Sequence, residues 1–354
     1  METVFFSLGG PILVAGPCAA ESEAMLWRVA RALKAGGGIS MFRCGSWKVR
    51  SKPDGFEGMG EEALPVLRSI RDELQLPVCV EVASPAHVEA LLRHGIRCCW
   101  IGARTTVNPQ QVSEIAEAAR GSNLAVMVKN PVVPDLKLWE GAFDRLSRSG
   151  ITDVAAVHRG FSTGDPAPYR NRPLWHLVIE WKCRHPELPL ICDPSHIAGC
   201  RSLLAEVAQK ALYLHCDGLM LEVHPSPDDA LSDASQQLAP DAYYSLLSSL
   251  TFPSGSSSGS GLEPYRAVLD ELDSELLALL SRRMEVSRQI ALMKREKRLP
   301  LLQPDRWKTV LSEALRRSEQ LRLPPDFVEE MMNLIHAASI GEQEKVCAGT
   351  GTEA

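Results

Sequence analysis

Eight short apolar runs, each followed by an amphipathic stretch, constrain this chain more than any other feature. They are Pro11–Cys18, Ile39–Cys44, Pro77–Ala83, Cys98–Ala103, Ala125–Val128, Asp153–Val157, Pro189–Cys192 and Gly218–Val223. Each is rich in Val, Ile, Leu or Cys, as a strand covered on both faces should be. Helical patterns separate them, as in Glu21–Ala35, Gly60–Leu74 and Pro85–His94, and supply the covering layer. Eight strand–helix units before residue 250 match the repeat number of a (β/α)8 TIM barrel, an α/β fold. A doubly wound open sheet would usually carry a Gly-rich phosphate turn after its first strand, and Gly16-Pro17-Cys18 stands there instead.

Phe252 to Gly261 reads FPSGSSSGSG, a Gly/Ser tract that cannot pack. The expected organisation is a barrel over 1–250, a linker over 251–261, a small all-α unit over 262–345 and a disordered tail over 346–354. After the linker, positions 266, 269, 273, 276, 280, 283, 287, 290 and 294 step by three and four along one helical face. With Pro264 near its start, a helix from Pro264 to about Arg298 would run roughly 50 Å at 1.5 Å per residue. That is longer than a bundle of this size can cover, and it points to intertwined subunits, hence a homodimer through the helical unit. Two shorter helices follow, from about Asp305 and from Asp326, where Asp326 and Glu329 have capping-box spacing.

A net charge of −6 argues against a nucleic-acid partner, which would want a basic face. No run approaches the ~18 apolar residues of a membrane span. The start, Met-Glu with no basic stretch, makes Val4 to Ala15 a poor signal peptide. The ten cysteines are scattered without paired zinc-type spacing, several of them inside apolar runs. The expectation is a cytoplasmic protein with mostly reduced, buried thiols.

In a barrel of this kind the site lies at the C-terminal ends of the strands. Those positions hold Cys18, then Arg43 with Lys48 and Arg50, Glu81, Arg104, Lys129, His158-Arg159, Asp193 with His196, and Glu222 with His224. One such residue alone is more simply a solvated loop residue; eight together indicate one concave site. Arg43, Lys48, Arg104, Lys129 and Arg159 form a cationic set suited to phosphate and carboxylate. Cys18, His196, Glu222 and, shortly beyond, Asp233 supply one sulfur, one nitrogen and two oxygens for a divalent ion, a mixed set that fits manganese, iron, cobalt or zinc.

The stretches GPCAAES (16–22), FRCGSWKVRS (42–51), IGAR (101–104), VKNP (128–131), HRG (158–160), DPSH (193–196), LEVHP (221–225) and SDA (232–234) together resemble 3-deoxy-D-arabino-heptulosonate 7-phosphate (DAHP) synthase of the type I-beta branch. The resemblance implies that Cys18, His196, Glu222 and Asp233 hold one divalent metal, manganese first among the candidates. It implies that Arg104, Lys129 and Arg159, with Arg43 and Lys48, bind phosphoenolpyruvate, and that Arg50 and Ser51 take the phosphate of erythrose 4-phosphate. Glu81 and Asp193 join the substrate-binding set, and Lys48, Lys129 and His196 the catalytic one. The family's usual Lys-Pro-Arg-Thr reads Lys48-Val49-Arg50-Ser51 here, and His158 stands where many relatives have Glu. No N-terminal extension of the kind that carries feedback control in some relatives is expected. The competing expectation for the barrel is a sister synthase that uses arabinose 5-phosphate.

In the long helix Arg266, Asp273, Arg283 and Lys294 share a face with Leu269, Leu276, Leu280 and Ile290. A cation facing a bundle core must be paired or bind an anion. One alone would snorkel at a subunit boundary, whereas Arg283 and Lys294 in line, with Arg266 and Arg306, favour a dianionic ligand. Residues 263–343 resemble the all-helical chorismate mutases at Arg266, Arg283, Lys294, Arg306, Ser339 and Gln343. That resemblance implies rearrangement of chorismate to prephenate, with Lys294 and Gln343 at the ether oxygen and Arg266 serving the partner subunit's site. Trp307 and Gln303 depart from the acidic residues common there. The combined expectation is a bifunctional shikimate-pathway enzyme whose helical unit also senses prephenate or chorismate and inhibits the barrel. The alternative makes that unit a purely regulatory binding module.

Overall fold

The computed structural model describes residues 6, 10–48, 55–164, 168–253 and 263–348. Arg50, Ser51 and residues 254–261 of the expected linker lie outside them. The chain divides into two compact units, Met1–Ser254 and Gly255–Ala354.

In the first unit eight parallel strands close into a barrel in chain order: β1 (Ile12–Gly16), β2 (Met41–Cys44), β3 (Val78–Val82), β4 (Cys98–Ile101), β5 (Ala125–Lys129), β6 (Val154–His158), β7 (Leu190–Cys192) and β8 (Gly218–Glu222). Each apolar run read from the sequence contains one of them, give or take a residue at its end. The barrel shuts where β1 pairs with β8, from Ile12 opposite Gly218 to Gly16 opposite Glu222.

Side chains alternate across each strand, and the buried residues accordingly form two separate cores. Ile12, Val14, Met41, Cys79, Cys98, Trp100, Met127, Val157, Ile191 and Met220 fill the barrel interior. Their strand neighbours, among them Leu13, Phe42, Val80, Ile101, Val128, Ala156, Leu190 and Leu221, pack outward beneath the helices. In that outer layer Trp139 stacks on Trp181 with centroids 3.9 Å apart and donates its indole N–H to the Val128 carbonyl at 3.1 Å. All ten cysteines are free, seven of them buried. Among the described residues no helix is long and apolar enough to cross a membrane.

Among its described residues the second unit has three helices, Glu263–Glu296, Pro304–Leu321 and Pro325–Cys347. Over the first half of the long helix, from Arg266 to Leu279, every described side chain is exposed; Ser287 and Ala291, further along, are buried. The third helix starts one residue earlier than expected, with Pro325 in its first turn behind Pro324, and its cap carries no side-chain hydrogen bond. The prolines set the start, so Asp326 lies inside the helix and the capping box does not form. This helix continues to Cys347, two residues into the stretch read as tail; residues 349–354 lie outside the described set.

Candidate active site

The polar mouth of the barrel follows from strand parity. Moving two residues on from the last apolar inward position leads from Met41 to Arg43, Cys79 to Glu81, Met127 to Lys129, Val157 to Arg159, Ile191 to Asp193 and Met220 to Glu222. Trp100 leads to Gly102, and a Cβ there would fall 2.2 Å from Glu81 Oε1, so the glycine makes room for that carboxylate. His158 has the opposite parity. It is buried in the layer outside the barrel, with its ring 5.7 Å from Phe161 and 5.5 Å from Trp175. It therefore leaves the set of mouth residues in which the sequence placed it.

Cys18, Glu222 and Asp233 bring one ligand atom each within 4.8 Å of one another. Cys18 Sγ is 3.2 Å from Asp233 Oδ2. The Lys48 ammonium donates to Asp233 Oδ2 at 2.7 Å and to Ser232 Oγ at 3.3 Å, and also contacts Cys18 Sγ. His196 lies on the Glu222 side of the cluster, its Nε2 3.7 Å from Glu222 Oε1 and its Nδ1 2.9 Å from Asp193 Oδ2. The expected four ligands thus form a group of three, with His196 adjoining through Glu222. His224 stays apart from them, 3.3 Å from Glu21 Oε2.

Beside this group lie the cations. Arg43 Nη2 donates to Glu222 Oε1 at 3.1 Å, and Lys129 Nζ donates to Asp193 Oδ2 at 2.7 Å. The Trp100 ring lies 5.0 Å from the Arg43 guanidinium and 5.7 Å from the Lys129 ammonium, within cation–π range. Arg159, also buried, donates from Nη1 to Asn171 Oδ1 at 2.7 Å. Arg104 is exposed on the short helix Ala103–Thr106.

Burial and charge act against each other throughout. Burial would lower the Lys48 ammonium, but Cys18, Glu222 and Asp233 lift it to about 12. Burial would raise the Glu222 carboxyl, but His196, Arg43 and Lys48 hold it at about 2. Asp193 and Asp233 are likewise held low against burial, by His196 and Lys129 in one case and by Lys48 and Arg170 in the other. Burial keeps His196 neutral, down at about 4, and with neighbouring cations takes Arg159 down to about 10. The Cys18 thiol is raised by burial, Glu222 and Asp233. A neutral imidazole, two ionised carboxylates and a thiol that a cation would deprotonate form a donor set that fits a divalent metal ion.

Four further residues hold this arrangement, and no sequence motif announced them. Gln237 accepts from the Cys18 backbone N–H at 3.1 Å. Asn171 donates to the His196 carbonyl at 2.7 Å while it holds Arg159. Gln236 donates to Glu222 Oε2 at 2.7 Å, and Arg170 lies 3.2 Å from Asp233 Oδ1. Backbone bonds from Arg170 and Asn171 to Ala198 and Ile197 pin their segment to the turn carrying His196.

In the helical unit a cavity of about 450 Å3 is lined by Arg283, Lys294, Gln303, Arg306, Trp307, His336, Ser339 and Gln343, with Val286, Ile290, Leu301 and Val310 as apolar wall. Lys294 donates to Gln343 Oε1 at 3.0 Å and to the Leu301 carbonyl at 2.6 Å; Arg283 reaches Ser339 Oγ. Gln343 passes a hydrogen bond on to Ser287 Oγ at 3.0 Å. Trp307 stacks on His336 with centroids 4.0 Å apart. Among the described residues no carboxylate lines the cavity, which suits an anion with a hydrocarbon ring. Arg266 is exposed and is not part of this lining.

Comparison with known proteins gives the same division. A model of the DAHP synthetase I family matches residues 8–251, and one of chorismate mutase type II matches residues 265–344. A phospho-2-dehydro-3-deoxyheptonate aldolase of Thermotoga maritima is 30% identical over 226 residues, 64% of this chain and 64% of that protein. The chain thus spans just under two thirds of that relative's length. A 2-dehydro-3-deoxyphosphooctonate aldolase of Desulfotalea psychrophila is 27% identical over 266 residues, covering 68% of this chain and 88% of its own length. Among solved structures, the DAHP synthase of Thermotoga maritima superposes with a TM-score of 0.60 at 28% identity over 68% of each chain. A truncated form of the 3-deoxy-D-arabino-heptulosonate 7-phosphate synthase from the same organism gives 0.58 at 26% identity over 68% of this chain and 85% of its own.

Proposed function

Since the chain belongs to the DAHP synthetase I family, we propose that its barrel condenses phosphoenolpyruvate with erythrose 4-phosphate and that its helical unit rearranges chorismate to prephenate. The observation that carries the first half is the group of Cys18, Glu222 and Asp233 with His196 beside it, set among Arg43, Lys48, Lys129 and Arg159. Those four residues would hold a divalent ion, whose contribution when bound would be Lewis-acid polarisation of the sugar aldehyde.

The chain's own groups do the rest. Lys129, Arg159, Arg43 and the more exposed Arg104 neutralise the carboxylate and phosphate of phosphoenolpyruvate, the Arg residues as bidentate donors. With that charge offset, the two anionic substrates can be brought within bonding distance, which is the main obstacle to their union. Lys48 stabilises the oxygen that gains negative charge as carbon 3 of phosphoenolpyruvate bonds to the aldehyde carbon. Water then adds at carbon 2 and gives one proton to the new alkoxide oxygen. The resulting hemiketal phosphate loses its hydroxyl proton to the departing group as the bond from carbon 2 to the phosphate oxygen breaks, leaving a ketone and inorganic phosphate.

In the helical unit the reaction needs no nucleophile. Arg283 and Arg306 hold the two carboxylates of chorismate in the folded conformer, and Lys294, positioned by its bond to Gln343 Oε1, donates to the ether oxygen as its bond lengthens. The same cavity serves as the point where prephenate or chorismate is sensed. Pairing of two chains through the exposed half of the long helix would bring Arg266 to the neighbouring subunit's cavity.

The test is loss of phosphoenolpyruvate on adding erythrose 4-phosphate, in matched samples with manganese and with excess EDTA, and loss of chorismate in a third. Phosphoenolpyruvate loss abolished by EDTA supports the barrel's reaction and its metal together. Loss with arabinose 5-phosphate instead would move the barrel to the sister reaction, that of the phosphooctonate aldolases among its relatives. A full-length chain inert on chorismate but inhibited by prephenate would leave the helical unit as a regulatory module.

A further inference from the structure

Gln236 ties together the two carboxylates of the metal site. It is fully buried, and its amide is used at both ends: Nε2 donates to Glu222 Oε2 at 2.7 Å, and Oε1 accepts from Arg170 Nη1 at 2.8 Å. The orientation of the amide is forced, because a guanidinium only donates and an ionised carboxylate only accepts. The same Arg170 nitrogen lies 3.2 Å from Asp233 Oδ1. Arg170 thus reaches Asp233 directly and Glu222 through Gln236.

The oxygens are divided between the two sides. Asp233 gives Oδ1 to Arg170 and keeps Oδ2 toward Cys18 and Lys48; Glu222 gives Oε2 to Gln236 and turns Oε1 toward Arg43 and His196. Two backbone features make this possible. Asp233 takes the left-handed conformation, φ 49°, which Asp tolerates better than most residues, and the short turn Ala234–Gln236 follows it at once. Gly199, φ 70°, lies where a Cβ would come within 2.5 Å of the Arg170 Cβ, so only glycine lets Arg170 pass.

Resting on the reading that Cys18, His196, Glu222 and Asp233 hold a divalent ion, we propose that Gln236, oriented by Arg170, is a positioning residue that sets the affinity of that site. It holds the Glu222 carboxylate in one rotamer, so that the ion does not have to order it. Hydrogen bonds of this kind to ligating carboxylates are worth about 10–100-fold in metal affinity. Arg170 is the poorer probe, since removing its charge would also relieve repulsion of the incoming cation. Gln236 is neutral and isolates the orientation.

The experiment titrates the full chain with Mn2+ against a fluorescent chelator, comparing wild type with Gln236→Met, which keeps length and volume. The expected result is Mn2+ binding weakened about ten- to a hundredfold, with the KM for phosphoenolpyruvate at saturating Mn2+ changed less than about threefold. A folded variant, judged by circular dichroism, whose Mn2+ affinity falls less than about threefold overturns the proposal. Should Gln236→Met not fold, Gln236→Asn takes its place: it retains an amide that is too short to span Arg170 and Glu222, and the same loss is expected. A wild-type chain with no measurable affinity for Mn2+, Fe2+, Co2+ or Zn2+ would instead remove the metal reading itself, so the two failures are distinct.

Discussion

Lys48 and Asp233 form a nearly buried ion pair, 2.7 Å between ammonium and carboxylate, and Cys18 Sγ shares the same ammonium. Without Lys48 the Asp233 carboxylate would face an uncompensated interior on its Oδ2 side. Lys48→Met is therefore expected to destabilise the metal-free chain by about 3 kcal/mol, the scale of a broken buried pair. Manganese should raise the melting temperature more in the variant than in wild type, while phosphoenolpyruvate consumption falls at least about 100-fold. Thermal melts with and without Mn2+, together with the turnover assay, decide this; identical melts would refute it.

Acid should weaken the fold in two stages. His158 and His196 stay neutral down to about 3 and about 4 because burial opposes their charging, His158 also facing Arg159 and His196 facing Lys129. An unfolded His takes a proton below about 6.5, so stability declines as pH falls from there toward those values. Glu222, held at about 2 in the folded chain, contributes stability above its ordinary carboxylate range that is lost as pH falls toward 2. His158→Leu should flatten the first stage. Its ring has only a long contact with the Pro173 backbone as polar partner, so the change at pH 7 should stay within about 1 kcal/mol. Urea melts across pH 7 to 2 cover both stages, and an unchanged slope between pH 7 and 4 in the variant would count against the assignment.

Lys294 is bound to Gln343 Oε1 at the wall of the helical unit's cavity. Lys294→Ala should slow chorismate loss about 100-fold or more and leave phosphoenolpyruvate consumption by the barrel unaltered. Both activities can be followed in one preparation, and equal loss of the two would show the effect to be on folding.

Leu272, Leu276 and Leu279 are each about half exposed along the first half of the long helix. Their spacing makes a continuous apolar stripe, and introducing Leu272→Glu with Leu276→Glu should convert a dimer to monomers. Sedimentation velocity reads the assembly. If Arg266 serves the neighbouring chain, chorismate turnover should fall as the dimer is lost, and a monomeric wild-type chain would end the argument.

Much of the barrel was legible because its strands are covered on both faces, so each shows as a short apolar run whatever surrounds it. Parity within those runs also carried information that the polar ends alone did not: His158 directly follows the inward Val157 and so turns outward, while Arg159 turns in. Arg170, Asn171 and Gln236 were not legible. Their partners lie far along the chain, Arg170 and Gln236 being 66 residues apart, and nothing local distinguishes a Gln that orients a carboxylate from one in water. The start of the last helix departs from the sequence expectation for a local reason, Pro324 and Pro325 overriding the capping spacing of Asp326 and Glu329. In the helical unit the cavity cations were visible as charges on an apolar face, whereas the stack of Trp307 on His336 joins two helices and had no trace in either.

Trp100 lies across the barrel beneath Arg43 and Lys129, with the apolar interior below it. That floor acts as an insulator. Charges above a layer that cannot polarise have their field lines turned toward the one open side, so the pull on a distant anion is stronger and more directional than the same residues would exert on a flat surface. The indole and the apolar layer beneath it thereby give the mouth of the barrel a preferred direction of approach.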